Sequence, residues 1–377
     1  MGLNSKGLLP SPCYVCEEKL LENNLKLLKK VQDETGIKIL LALKGFAMFS
    51  TFELCKKYLK GCCASGLNEA ILAKKEFGLE VHTYSPAFKP NEFDEITKIS
   101  NHIVFNSFNQ FELYKNKIAP HNSIGIRVNP QVSTVDVDLY NPCGTYSRLG
   151  TIIENFPSEL PSEIKGLHFH ALCEQNVDAL ELVLEKFEQN FSKYFSKLQW
   201  LNFGGGHHIT RKDYDVERLI TVLKIIKNRY PHLTIYMEPG EAVAWQTGYL
   251  EATVLDIVHN GIDIAILDTS AECHMPDTLA MPYRAMIRNA GKPFEKKYTY
   301  KLGGNTCLAG DIIGDYSFDT LLKVGDKIIL EDMIHYTMVK TTTFNGINLP
   351  SIAIKNANGE FTIVKNYDYE SYKDRLS

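Results

Sequence analysis

The chain has 377 residues, of which 44% are hydrophobic and 23% are charged, and its formal net charge is −4. This length can bury a large core and suggests a barrel-sized domain with a smaller one beside it. A nearly balanced charge and a pI near 6.3 argue against nucleic acid and against an anionic membrane surface as partners.

The N-terminal residues show no targeting signal. They lack the charged and apolar segments of a secretory leader, and Lys6 breaks a myristoylation motif, so we expect a cytoplasmic protein with no membrane partner. Nine cysteines, an odd number without small-scaffold spacing, indicate reduced thiols. Cys13 and Cys16 have C-x-x-C spacing, but they precede any βαβ unit, so a redox or zinc role is disfavoured.

The first two thirds of the chain alternate between strand-like and helical patterns. A short strand is predicted at 11–16 and an amphipathic helix at 17–32. Eight further strand-like runs follow, at 37–44, 60–65, 79–84, 101–106, 123–129, 164–170, 198–204 and 233–238. Most are separated by amphipathic segments, and eight is the number that a (β/α)8 barrel requires.

After about residue 247 the pattern changes to short strand-like runs separated by Gly, Pro, Asp and Asn turns, which predicts an antiparallel β domain. The runs are 253–258, 262–267, 298–302, 327–330, 336–339, 351–354 and 361–364. We therefore expect an α/β protein with a TIM-like barrel at 33–246. The β domain would comprise 1–32 and 247–377, including the N-terminal strand.

Polar residues follow the predicted barrel strands, where barrel enzymes place their chemistry. Lys44 ends the first run, and it is either a lysine that reaches the rim or an amine with a lowered pKa that forms a Schiff base with an aldehyde. Gly204, Gly205 and Gly206 follow the seventh run and form either a phosphate cradle or a plain turn. Glu238 ends the eighth run and could hold a proton on a ring nitrogen or form a rim ion pair.

Two further motifs carry candidate chemistry. His168 and His170 share one face of the sixth strand, where one could stack on a flat cofactor or both could bind a metal ion. Cys307 lies in a glycine-rich loop of the β domain, where a thiol is accessible enough to exchange protons.

Taken together, these motifs resemble the fold-type III pyridoxal-phosphate decarboxylases, relatives of the ornithine, arginine and diaminopimelate decarboxylases. The resemblance covers nearly the whole chain. The motifs that carry it, in chain order, are Ser11–Val15, Leu41–Lys44, Ala64–Gly66 with Glu69, His168–His170, Gly204–Gly206, Glu238–Gly240, Gly304–Asp311, Glu331–Tyr336 and Thr343–Gly346.

The resemblance implies pyridoxal 5'-phosphate as cofactor and no catalytic metal. By it, Lys44 would hold the cofactor covalently, His170 would stack on its ring, and Glu238 would pair with the pyridine nitrogen. Cys307 would be the general acid that reaches the site of a second subunit, so a homodimer is expected. The remaining cofactor contacts would be Ser65, Gly204, Gly205, Gly206 and Tyr336.

Departures from the family pattern bear on the substrate. Glu241 stands where many relatives carry an arginine, which disfavours a distal carboxylate and favours an ammonium group. We expect Glu241, Asp277 and Asp311 to contact a carboxylated polyamine, the substrate of the branch that this chain is most similar to. Arg284 could instead serve a distal carboxylate, and Cys173 replaces a serine often found after the stacking histidine.

Several alternatives stay open at this point. Diaminopimelate and ornithine or lysine are rival substrates within the decarboxylases. A metal-dependent barrel hydrolase could use His168, His170 and His207, although such enzymes commonly carry their H-x-H pair on the first strand. A non-enzymatic relative would be expected to have lost Lys44 or Cys307, and both are present.

Overall fold

The computed structural model describes residues 3–4, 9–135 and 137–377. Contacts divide the chain into two units, Asn23–Val243 and the remainder, which we call the barrel domain and the sheet domain. The barrel limits predicted from the sequence, 33 and 246, compare with 23 and 243 in the structure. In the described part of the chain, no helix combines the length and the apolar character needed to span a membrane.

In the described residues, thirteen α-helices and β-strands precede the sixth α-helix. They are β1 (Leu3–Asn4), β2 (Cys13–Glu17), α1 (Glu18–Thr35), β3 (Lys38–Ala42), α2 (Phe52–Cys55), β4 (Gly61–Ala64), α3 (Leu67–Leu72), β5 (Glu80–Tyr84), α4 (Pro90–Ile99), β6 (His102–Phe105), α5 (Phe108–Tyr114), β7 (Ser123–Arg127) and β8 (Ile164–His168).

The remaining elements complete the barrel and build the sheet. They are α6 (Val177–Phe191), β9 (Trp200–Asn202), α7 (Val216–Arg229), β10 (Thr234–Met237), α8 (Glu241–Ala244), β11 (Gly248–His259), β12 (Asp263–Leu267), α9 (Ala271–His274), α10 (Asp277–Ala280), β13 (Tyr298–Gly303), β14 (Ile312–Phe318), β15 (Lys327–Glu331), α11 (Tyr336–Val339), β16 (Ser351–Lys355), β17 (Phe361–Lys365) and α12 (Tyr369–Lys373).

Eight parallel strands, β3 to β10, close into a barrel in chain order, with β10 pairing back to β3. This confirms the predicted barrel, and each predicted run overlaps one of these strands. In a closed parallel barrel all eight carboxyl ends open on the same face, so the polar residues that follow the strands converge there.

The sheet domain is built around the long strand β11, which pairs with β2, β12 and β15. Strand β2 therefore belongs to this sheet, as predicted for the N-terminal strand. Most pairings are antiparallel, but β12 with β13 and β16 with β2 are parallel.

Two details of the predicted sheet differ from the structure. The run at 336–339 is helix α11, so its prediction as a strand is wrong: the β-propensity of Tyr, Thr and Val is overridden by the tertiary context. Strand β14, Ile312–Phe318, was not among the predicted runs, and it contains Gly314 and Asp315, two residue types that are uncommon in strands. Gly314 has φ 143°, and the register shifts at the paired end of β13.

Glycines make room for one large ring inside the barrel. Trp200 is buried and donates its indole N–H to Ser123 Oγ at 2.8 Å. A Cβ at Gly166 would lie 2.1 Å from the Trp200 ring, and one at Gly125 would lie 2.3 Å from it. Both separations are far below van der Waals contact, so Trp200 can fill the barrel only because residues 125 and 166 lack side chains.

Gly166→Ala should therefore lower stability. We expect a loss of about 1–3 kcal/mol in the apparent free energy of unfolding, because the Trp200 ring would have to shift within a packed core. Urea titration of the cofactor-loaded protein measures this. Gly310→Ala is the matched control: a Cβ there meets open space, and the change should stay within about 0.5 kcal/mol. Equal midpoints for the two variants would contradict the packing argument.

Candidate active site

Lys44 and His170 meet at the carboxyl face of the barrel. Lys44 follows β3 by two residues, His170 follows β8 by two, and Lys44 Nζ lies 3.3 Å from His170 Nε2. His170 Nδ1 accepts a hydrogen bond from the Gly205 N–H at 2.9 Å. A neutral imidazole that accepts at Nδ1 carries its proton on Nε2, so Lys44 Nζ must be the acceptor of the second bond.

This hydrogen-bond pattern assigns a neutral amine to Lys44. The side chain keeps solvent access in the barrel mouth, yet protein surrounds it closely enough that desolvation lowers its pKa, and Arg127 lowers the pKa further. The pKa of His170 also lies well below its usual value, through burial and then through Lys44. An uncharged amine is the form that attacks an aldehyde.

Glu238 lies immediately after β10, in a buried polar environment. Its Oε1 accepts from Asn202 Nδ2 at 2.6 Å, and its Oε2 lies 3.5 Å from His168 Nε2. Burial alone would raise the pKa of the Glu238 carboxyl, but His168 and Asn202 outweigh it and bring the pKa to about 2. Burial lowers the pKa of His168, and the neighbouring Glu238 carboxylate acts in the opposite direction.

Lys44 and Glu238 belong to the same site, because one histidine lies close to both. The ligand atoms of His168, His170 and Glu238 lie within 4.8 Å of one another, and His170 contacts Lys44. His207 Nε2 lies 3.1 Å from the Phe203 carbonyl, outside this group. The amine, the carboxylate and a flat imidazole ring therefore face one region of the barrel domain.

The glycine run after β9 is held tightly by its surroundings. Gly204 and Gly206 have φ of 64° and 85°, and a Cβ on either would lie 2.3 Å or less from a backbone carbonyl oxygen. A Cβ on Gly205 would lie 2.5 Å from the Glu238 carbonyl oxygen and 3.1 Å from the His170 ring. The turn therefore requires glycine and brings its backbone close to both His170 and Glu238.

Comparison with known proteins identifies the family. The family model for pyridoxal-dependent decarboxylases with a C-terminal sheet domain matches residues 13–334. The chain belongs to the pyridoxal-dependent decarboxylases. This confirms the predicted fold, enzyme class and cofactor, and it removes the metal-dependent hydrolase and the non-enzymatic relative as alternatives.

Individual relatives match nearly the whole chain. A carboxynorspermidine/carboxyspermidine decarboxylase from Campylobacter jejuni is 49% identical over 97% of this chain and 98% of its own. A carboxyaminopropylagmatine decarboxylase from Synechocystis is 46% identical over 98% and 96%. The crystal structure of carboxynorspermidine decarboxylase from C. jejuni, complexed with norspermidine, has a TM-score of 0.92 at 48% identity and covers 97% of this chain and 100% of that one.

The barrel-domain residues fit the family cofactor. Pyridoxal phosphate needs a neutral amine for its aldehyde, a negative partner for its ring nitrogen and donors for its phosphate. Lys44 and the ionised Glu238 meet the first two needs. In the glycine turn, the N–H groups of Gly204 and Gly205 already donate to Asn202 Oδ1 and His170 Nδ1, so the turn contributes a close approach of its backbone rather than three unused donors. Ser65 follows β4, and its own N–H donates to Glu69 Oε2 at 2.6 Å.

The other predicted site residues lie in the sheet domain. Cys307 is exposed, and its N–H donates to Asn345 Oδ1 at 2.7 Å. Tyr336 begins α11, with Lys340 Nζ 5.6 Å from the centre of its ring. Asp277 is buried: its Oδ2 accepts from Thr337 and Tyr283, while its Oδ1 has no hydrogen-bond partner among the described residues.

Asp311 and Arg284 are strongly engaged within the sheet domain. The Asp311 carboxylate accepts five hydrogen bonds, from Ser270, Thr306 and the N–H groups at the start of α9. These bonds favour a positioning role over the substrate contact predicted for Asp311. Arg284 donates to two backbone carbonyls and stacks 3.9 Å from the Tyr316 ring centre. A guanidinium held this way is a weak candidate for a distal carboxylate.

Two supporting residues had not been assigned a role from the sequence. Asn202 donates to Glu238 from the end of β9, and Asn345 accepts from Cys307. Asn202 ends an otherwise apolar strand and is fully buried, and a buried amide at a barrel strand end is a usable signal. Asn345 precedes Gly346 in a motif that resembles the family, but its partner lies 38 residues away in sequence.

Proposed function

We propose that the protein decarboxylates carboxynorspermidine or carboxyspermidine, giving norspermidine or spermidine and CO2. The observation that carries this is the relative of that name, 49% identical over nearly the full length of both chains. The Synechocystis relative acts, by its name, on carboxyaminopropylagmatine, and all three names describe carboxylated polyamine-like compounds. The proposal also rests on acidic groups in both domains.

In the barrel domain, Glu241 begins α8 directly after the strand end that carries Glu238. Its Oε2 lies 3.7 Å from the buried His208 Nε2, and Glu174 joins these two within 4.8 Å. Two carboxylates beside an imidazole favour a cationic group over a second carboxylate. In the sheet domain, the free oxygen of Asp277 is a second buried acceptor suited to an amine.

The chain's own residues divide the work as follows. Lys44, as a neutral amine, would bind the cofactor aldehyde, His170 would stack on the ring, and Glu238 would hold the proton of the ring nitrogen. Gly204, Gly205, Gly206 and Tyr336 would bind the phosphate, and Ser65 would be a further cofactor contact. Bound pyridoxal phosphate supplies an electron sink for the electron pair left when CO2 departs. Cys307 would then donate a proton to the substrate Cα.

We further infer a cytoplasmic homodimer in which Cys307 serves the site of the partner subunit. Reduced thiols support the compartment, since none of the nine cysteines, all of which lie in the described residues, forms a disulfide. The exposed position of Cys307 supports its availability to a second chain.

A product assay tests the substrate. The holoenzyme should release CO2 and the corresponding polyamine from carboxynorspermidine or carboxyspermidine with a kcat/KM at least about tenfold above that for diaminopimelate, ornithine and lysine. Carboxyaminopropylagmatine belongs in the same panel. A preference for diaminopimelate would overturn the substrate assignment while leaving the decarboxylase family intact.

Glu241→Gln should weaken substrate binding selectively. We expect KM for the preferred polyamine to rise about 10- to 100-fold with a much smaller change in kcat, because the amide loses the charge that faces an ammonium group remote from the bond that breaks. Steady-state kinetics measures this. Glu95→Gln, on the exposed side of α4, is the control and should leave KM unchanged. An unchanged KM in Glu241→Gln would exclude Glu241 as a substrate contact.

A further inference from the structure

The loop that carries Cys307 is fixed on both sides of the thiol. The Cys307 N–H donates to Asn345 Oδ1 at 2.7 Å. The preceding residue, Thr306, donates to Asp311 Oδ2 through its N–H at 3.1 Å and its hydroxyl at 2.6 Å. An exposed glycine-rich loop would otherwise have considerable conformational freedom, so these bonds determine where the thiol lies.

The two anchors of the loop are joined through α9. The Phe344 carbonyl, one residue before Asn345, accepts from Cys273 Sγ at 3.4 Å. The Cys273 N–H donates to Ser270 Oγ at 3.0 Å, and the Ser270 hydroxyl donates to Asp311 Oδ2 at 2.9 Å. Because both anchors return to the same short helix, a shift of Asn345 cannot occur independently of the rest of the loop.

Asn345 itself has a backbone conformation that few side chains accept. Its φ and ψ are 59° and 12°, in the left-handed region, and Gly346 follows with φ 74°. Asparagine, aspartate and glycine are the residues that tolerate this region best. Of these three, asparagine and aspartate carry a side-chain oxygen that can accept the Cys307 N–H, and glycine carries none.

We propose that Asn345 is a positioning residue for Cys307: its amide oxygen fixes the Cys307 backbone so that the thiol can deliver its proton to the substrate carbon. This rests on the proposed function, in which Cys307 is the general acid. Proton transfer needs a donor within hydrogen-bond reach of the acceptor, and a displacement of about 1 Å can cost about a hundredfold in rate.

A pair of variants separates the side-chain contact from the backbone conformation. Asn345→Gly keeps the left-handed conformation and removes the acceptor, whereas Asn345→Asp keeps both. Hydrogen exchange at residue resolution, on protein without cofactor, should show about tenfold faster exchange of the Cys307 N–H in Asn345→Gly and near wild-type exchange in Asn345→Asp. The Thr306 N–H, bonded to Asp311, is the internal control and should not change.

The second measurement is the fate of the substrate in the holoenzyme. A thiol held out of place would fail to protonate Cα, and the decarboxylated substrate would then be released as an aldehyde, with water as co-reactant and with its nitrogen retained by the cofactor. No external oxidant is required. For Asn345→Gly we expect the aldehyde fraction to rise about tenfold or more, with kcat reduced about 10- to 100-fold and KM within about twofold. Asn345→Asp should restore most of the amine product.

Each outcome decides between defined alternatives. Wild-type exchange and product ratio in Asn345→Gly would overturn the positioning role, and so would equal behaviour of the glycine and aspartate variants. A wild-type holoenzyme that forms no polyamine from any carboxylated polyamine would overturn the proposed function instead. The exchange rates, measured without cofactor or substrate, would still report whether Asn345 holds the loop.

Discussion

Lys44→Ala protein will not retain pyridoxal phosphate through dialysis and will lack the visible absorbance of the lysine-bound cofactor. We expect decarboxylation to fall at least about 10³-fold, because no other amine replaces the one that His170 and its surroundings keep neutral. Absorbance spectra and CO2 release from the same samples measure the two effects. The fold should be preserved, since residue 44 lies in a turn beyond the end of β3.

Lys38→Ala is the matched control for this experiment. Lys38 begins the same strand, and its ammonium pairs with Glu80 at 2.5 Å, at the opposite end from Lys44. Its loss removes a half-exposed ion pair worth about 1 kcal/mol or less and should leave cofactor absorbance intact. A Lys44→Ala protein that kept the absorbance would remove Lys44 from its proposed role and require another covalent attachment point.

Much of the barrel site follows from two rules about sequence. A (β/α)8 barrel requires eight strands, which is the number of strand-like runs found, and closure places the residues after each strand on one face. Those rules bring Lys44, His170 and Glu238 together without knowledge of a single contact. These rules do not predict which groups carry a proton. The neutral state of Lys44 depends on a hydrogen bond from the Gly205 N–H to His170 Nδ1, which the sequence does not reveal.

The sheet domain was harder to predict because its residues are arranged by long-range pairing. Strand β2 lies between β11 and β16, which follow it by more than two hundred residues. The five bonds to Asp311 come from residues between 5 and 41 positions earlier in the chain, and no periodic pattern in the sequence predicts them. Asp311 was predicted to contact the substrate. Its hydrogen bonds favour a role as an anchor that holds the loop and the start of α9.

The proposed sharing of sites between subunits gives the second large expected effect. Lys44→Ala and Cys307→Ala should each be nearly inactive as homodimers, the first without its covalent cofactor link and the second without its general acid, whose loss costs about 10²–10⁴-fold. A hybrid dimer with one subunit of each kind should recover about half of wild-type activity. One of its two sites would then combine the intact Lys44 of one chain with the intact Cys307 of the other.

The two variant chains are co-expressed with different affinity tags, and two successive affinity purifications isolate the hybrid dimer. Activity per mole of bound cofactor measures the recovery. Recovery requires that Lys44 and Cys307 act across the interface, because a hybrid with self-contained sites has no complete pair in either chain. A purified hybrid as inactive as its parents would place Cys307 in its own subunit's site. A hybrid of Lys44→Ala with Glu238→Gln is the control: both residues lie in the barrel domain of one chain, so no intact site forms and activity should stay low.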